Sequence, residues 1–187
     1  MAVFMYDPPE RFVAGTVGQP GERTFYLQAS GNGRVTSVAL EKVQVSRLAE
    51  RLDELLDDEL RSGGGGNTSV PAAAPASLAD DRPLDLPLLE EFRVGVIALA
   101  WDAESERIVI EAQEESETPV EYLADDLPED GPGVLRVRIT AAAARAFCQR
   151  ALQLVSQGRP PCPLCGLPLD ASGHICPRQN GHRISNA

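Results

Sequence analysis

The sequence predicts an α+β fold: internally duplicated β-β-β-α units forming a mainly antiparallel sheet with two helices, followed by a C-terminal zinc-ribbon-like tail. Three observations predict it. Alternating or apolar segments are separated by tight, glycine-bearing turns; two segments rich in leucine or alanine carry helical spacing; and three of the four cysteines crowd near the end of the chain. The 187 residues are 43% hydrophobic and 24% charged, which suffices for a globular core. The longest apolar run, Val94 to Trp101, is far short of the roughly 20 residues that a membrane-spanning helix needs.

The first half opens with a strand at Arg11–Val17. The turn Gly18–Gly21 leads to a second strand at Arg23–Ala29, and Ser30–Gly33 to a third at Val35–Glu41. Leu48, Leu52, Leu55, Leu56 and Leu60 then recur at helical spacing, with Ser46 as the expected N-cap. Ser62–Ser77 holds four consecutive glycines and a Pro/Ala run, and reads as a flexible linker.

The second half repeats that order. Phe92–Trp101 is a long apolar strand, Asp102–Glu106 a turn, Arg107–Gln113 a strand and Val134–Ile139 a third strand. A helix follows from Thr140, its expected N-cap. The strand ends and caps of residues 43–52 and 137–146 align, which suggests duplication. The expected organisation is one body, 1–157, with halves 1–61 and 78–157 joined by linker 62–77, and a tail, 158–187. Glu111 to Asp130 holds nine acids and no base. It lacks the alternating acids and central glycine of a calcium loop and reads as solvated.

Charge narrows the function. The net charge is −11, yet the tail carries Arg159, Arg178 and Arg183 against Asp170, so the body bears −13. Such a body repels phosphate backbones, which argues against nucleic-acid binding. The N-terminal residues show neither the basic region nor the apolar stretch of a secretory signal, so a cytoplasmic location is expected, with no membrane attachment. Clustered cysteines in that setting point to metal or redox chemistry, since disulfide frameworks belong to oxidising compartments.

Cys162-Pro-Leu-Cys165-Gly166 is a zinc-knuckle pattern: two thiolates three residues apart can approach one ion from a tight turn. A short hairpin after it would bring His174, Cys176 and His182 back toward the knuckle. Tetrahedral zinc needs four ligands; Cys162, Cys165 and Cys176 supply three, and His174 or His182 the fourth. His174 and Cys176 share one face of an extended strand, which favours His174. One structural zinc ion is expected, because a short segment poor in apolar groups needs a staple to fold. Cys148 lies within the second helix and reads as a buried small hydrophobe.

Four stretches carry a family resemblance: DPPERFVAGTVGQPGERTFYLQA (7–29), VALEKVQV (38–45), FRVGVIALAWD (92–102) and the terminal CPLCGLPLD with GHICPRQNG. Together they resemble an actinobacterial "repeat protein" family, domain of unknown function 3090. The resemblance implies no activity and transfers no catalytic residue.

The residues favour a non-enzymatic adaptor or regulatory protein-binding module with a structural zinc tail and a protein partner. No nucleophile–base pairing, phosphate-binding loop of the GxxxxGK[ST] type or HExxH motif is present. Two alternatives stand beside it. One is a hydrolase using zinc-activated water or carboxylates, Asp7 and Glu10 with Arg11 being the local candidates. The other is a thiol switch at Cys162 and Cys165.

Overall fold

The computed structural model describes residues 2–19, 21–62, 69–116, 123, 131–157, 162–165 and 176. The strands are β1 (Val3–Tyr6), β2 (Arg11–Val17), β3 (Thr24–Gly31), β4 (Arg34–Leu40), β5 (Glu90–Asp102), β6 (Arg107–Glu114) and β7 (Val134–Thr140). The helices are α1 (Lys42–Ser62) and α2 (Ala141–Ser156), and a single 3₁₀ turn covers Ala76–Leu78.

The seven strands form one sheet in the order β1-β7-β6-β5-β4-β3-β2. Two antiparallel meanders, β2-β3-β4 and β5-β6-β7, are each followed by a helix. The meanders meet along a short parallel seam, Ser37 opposite Glu90 and Ala39 opposite Arg93. The expected six strands are present, and β1 is an addition: it pairs in parallel with β7, Val3 opposite Val134 through Tyr6 opposite Val137. Its four residues are too few to display a period, although Val, Phe and Tyr suit a strand.

β1 and β2 occupy opposite ends of this order, yet only residues 7–10 separate them. A flat seven-stranded sheet would be about 29 Å wide, more than so short a link can span. The sheet therefore curls. Tyr6 Oη on β1 lies 2.8 Å from Thr36 Oγ1 on β4, and the Glu10 amide donates to the Ser30 carbonyl of β3 at 2.8 Å.

Alternation along the strands points Phe25, Leu27 and Ala29 of β3, Val38 and Leu40 of β4, Ile108 and Ile110 of β6, and Leu135 and Val137 of β7 into one core. α1 adds Val45, Leu48, Ala49, Leu52 and Leu56; α2 adds Ala144, Phe147, Cys148 and Ala151. Arg145 ties the helices together. Its side chain is 5% exposed and reaches Asp53 and Asp57 of α1, both at 2.5 Å, and its Nε donates to the Pro71 carbonyl at 3.1 Å.

Two expectations change. α1 begins at Lys42, so Ser46 is not its cap; Ser46 sits in the helix and its hydroxyl donates to Glu50 Oε1 at 2.8 Å. The start is made by Glu41 and Gln44: Gln44 Oε1 accepts from the Glu41 amide at 2.7 Å, the backward half of a capping box. The acidic stretch is also not wholly solvated. Glu111 and Glu114 belong to β6, and Glu111 is fully buried, 2.5 Å from Arg136 Nη2 and accepting from Gln113 Nε2 at 2.7 Å and the Leu123 amide at 3.1 Å. Thr140 caps α2 as expected, accepting from the Ala143 amide at 3.2 Å. Within the segment read as a linker, Val70 is buried in the core. No helix of the described residues is long and apolar enough to cross a membrane.

Candidate metal centre

Cys162, Cys165 and Cys176 come together after α2. Their three sulfurs lie within 4.8 Å of one another, and Cys162 Sγ is 3.9 Å from Cys176 Sγ. Residues 163–165 form a turn, which folds the chain around the first sulfur: the Leu164 amide donates to Cys162 Sγ at 3.4 Å. Cys162 and Cys176 are buried and Cys165 is half-buried. Hydrogen bonds from the backbone at Cys165 and Leu164, with further help from the neighbouring thiols, hold the Cys162 thiol below its ordinary pKa; burial opposes them and is outweighed.

This arrangement suits a metal. All three are free cysteines, and 3.9 Å is far beyond the roughly 2.05 Å of a disulfide. Sulfurs each about 2.3 Å from a tetrahedral ion stand about 3.8 Å apart. The sequence-predicted cysteine ligands are thus brought together. His174 and His182, the candidates for the fourth position, lie outside the described residues.

The other sequence candidates go elsewhere. Cys148 is 2% exposed on α2, and burial, with the negative charge of Asp53, pushes its thiol up to about 12. It packs as a small hydrophobe. Asp7 binds Arg107 at 3.0 Å, Glu10 Oε1 accepts from the Asn32 amide at 2.9 Å, and Arg11 turns to Asp80. The three do not converge on one point.

Sequence reasoning missed the cluster around Arg11. A cleft of about 340 Å³ lies between β2, α2 and residues 77–82. Phe12, Ile139 and Phe147 line it together with Arg11, Asp80 and Arg150. Arg11 Nε donates to Asp80 Oδ2 at 2.7 Å, its Nη2 to the carbonyls of Arg82 and Pro83, both at 3.0 Å, and its Nη1 lies 3.1 Å from Asp85 Oδ1. Arg150 donates to the Ala14 carbonyl at 2.8 Å and to the Asp80 carbonyl. These guanidinium groups strap residues 80–85 to β2 and α2. The pairings cross about 70 residues of sequence, so no local motif announces them.

A family model for proteins of unknown function, DUF3090, matches residues 4–176. The chain belongs to the DUF3090 family. No curated protein and no solved structure matches it. The DUF3090 match takes in all three clustered cysteines and His174, and ends at Cys176.

Proposed function

We propose that this DUF3090 protein is a non-enzymatic adaptor, a protein-binding module of the cytoplasm whose C-terminal residues 158–187 are stapled by one structural zinc ion. The observation that carries the reading is the sulfur cluster: three cysteines, two of them buried, within 4.8 Å. Soft thiolates in that number suit zinc, and a histidine would complete a Cys₃His set. His174 is the preferred fourth ligand, since an extended chain there would put it on one face with Cys176, and it lies inside the family match. A closed set of four protein ligands leaves no position for an activated water, which favours a structural role. The adaptor reading draws support from the cleft, whose charged groups are engaged with one another and with backbone carbonyls. The matching meander-plus-helix order of β2–α1 and β5–α2 supports duplication of residues 1–61 and 78–157 within the body.

Metal analysis of the purified protein tests this. About one zinc per chain is expected, as one Cys₃His site holds one ion. Cys162→Ser, Cys176→Ser and His174→Ala should lose it while His182→Ala keeps it, and the far-ultraviolet spectrum of the body should persist. A metal-free protein in which Cys162 and Cys165 form a disulfide reversibly would replace the zinc reading with a thiol switch.

A further inference from the structure

Residues 63–89 join α1 to β5, and among the described ones the only regular structure is the 3₁₀ turn Ala76–Leu78. Connections longer than about 12–15 residues with no structure of their own are uncommon and usually functional. Asp80 to Asp85 of this connection belong to no helix and no ladder, yet the body holds them as a bound peptide is held. Arg11 takes the Asp80 carboxylate through Nε at 2.7 Å and Nη2 at 3.2 Å, and Nη2 also donates to the carbonyls of Arg82 and Pro83. Arg150 donates to the Asp80 carbonyl and, at 2.8 Å, to that of Arg82. Gln28 Nε2 donates to the Asp85 carbonyl at 3.1 Å, and its Oε1 accepts from the Asp85 amide at 2.7 Å. That exchange of two bonds is what a paired strand residue would offer.

Leu84 sits on bare backbone. A Cβ at Gly15 would lie 2.5 Å from Leu84 Cγ and Cδ2, so glycine leaves the room that this side chain fills. Alternation turns Gly15 and Gln28 away from the core residues Ala14 and Leu27, to the opposite face of the sheet. Burial shows which side receives and which is received. Arg11 and Gln28 are buried, whereas Asp80, Leu84 and Asp85 are half-buried and Asp81, Arg82 and Pro83 between them are exposed. Just beyond, Leu86 and Leu89 are 81% and 67% exposed, so this stretch gives the body little apolar surface besides Leu84.

We propose that the groove of Arg11, Gly15, Gln28 and Arg150 is a peptide-binding site, and that residues 80–85 are its tethered stand-in, displaced by a partner segment of the pattern Asp-x-x-x-Leu-Asp. The partner's chemistry, which rests on the protein-binding reading above, is that of an acidic segment. Its first aspartate meets Arg11, and its leucine, four residues on, fills the space over Gly15. The aspartate after the leucine meets Gln28 through its backbone and Arg11 Nη1 through its carboxylate, as Asp85 does at 3.1 Å. The three residues between face solvent and are not read. A tethered occupant has a high effective concentration, so an outside segment binds only in proportion to the fraction of chains whose own segment is released. Weakening the tethered segment must therefore tighten binding in trans, and altering the groove must loosen it.

A fluorescein-labelled peptide of Leu78–Leu88, titrated with the full chain and followed by anisotropy, tests this. The Leu84→Ala chain should bind it at least about tenfold more tightly than the parent, since its released fraction is larger. Asp80→Asn should act in the same direction through a different contact. Gly15→Ala added to Leu84→Ala should reverse the gain, because the new Cβ suits the chain's own alanine but collides with the peptide's leucine. The peptide with Leu84→Ala should bind the Leu84→Ala chain at least about tenfold more weakly than the unaltered peptide does. Far-ultraviolet spectra identify the folded variants. Equal affinities for the parent and both single variants, no binding to any of them at about 100 µM chain, or a gain that survives Gly15→Ala overturns the proposal. The adaptor reading, which stands on the sulfur cluster, is judged separately by the zinc content of the same samples.

Discussion

Asp80 sits among three arginines. Its carboxylate accepts from Arg11 Nε at 2.7 Å, Arg82 Nη2 at 3.1 Å and Arg150 Nη1 at 3.3 Å, and from the Arg82 amide at 2.9 Å. The Arg11 hydrogen bond, reinforced by those from Arg82, holds the carboxyl well below the usual carboxylate range, against the opposing effect of burial. The pair is mostly out of solvent, the side chains of Arg11 and Asp80 being 7% and 19% exposed, so water does not replace a lost partner easily. Asp80→Asn is therefore expected to cost about 2 kcal/mol at neutral pH, in the range for charged hydrogen bonds. The sign of the pH dependence follows. A carboxyl depressed in the folded state contributes fully above its unfolded pKa, about 4, and loses that contribution as pH falls further. Urea titrations of the parent and Asp80→Asn should show a gap that is constant above about pH 5 and narrows steadily toward pH 2. A gap that stays the same across that range would mean the carboxylate is not what holds the strap.

At the scale of the element, the two helices begin differently, and the difference is measurable. Thr140 accepts from the Ala143 amide, so Thr140→Ala removes a working cap and should cost about 1 kcal/mol. Ser46 lies one turn inside α1 and bonds Glu50 at the surface, so Ser46→Ala should change stability by less than about 0.5 kcal/mol. Equal costs from chemical denaturation would return the start of α1 to Ser46. The same pair shows where the sequence was legible. Thr140 follows a strand directly and precedes alanines, so cap and helix coincide in one place. At α1 the serine looked right, but Glu41 with Gln44 closes the first turn five residues earlier and lets Val45 reach the core. The three meander strands of each half were readable from their turns and alternation. β1 was not, because four residues joining a distant strand leave no local period. The clustered cysteines were readable from spacing alone, since a knuckle is local chemistry. Arg11–Asp80, Arg145–Asp53 and Glu111–Arg136 were not, because each pairs residues that only the tertiary fold makes neighbours.

At the scale of the molecule, the question is whether the two meander-and-helix halves are separate structures side by side or one structure. Three features join them across the parallel seam of β4 and β5. α1 and α2 pack on each other, Arg145 of the second half is buried against Asp53 and Asp57 of the first, and one apolar cluster takes side chains from both. The curl of the sheet adds a fourth, since β1 belongs to the first half in sequence and to the second in pairing. Neither half can lose its packing without exposing the other's inner face, so the body should unfold as one unit. Leu27, 0% exposed on β3, tests this from the first half, and Trp101 on β5 senses the second. Leu27→Ala should cost about 3 kcal/mol, as the truncation of a fully buried leucine does. The decisive observation is where that loss is seen. At a fixed protein concentration, the urea midpoint followed by Trp101 emission should fall by the same amount as the midpoint followed by backbone circular dichroism, because a two-state body has a single midpoint for every probe. If the halves were independent, the Trp101 transition would stay at the parent midpoint while only the dichroism moved, and the shared core would then be contact without cooperation.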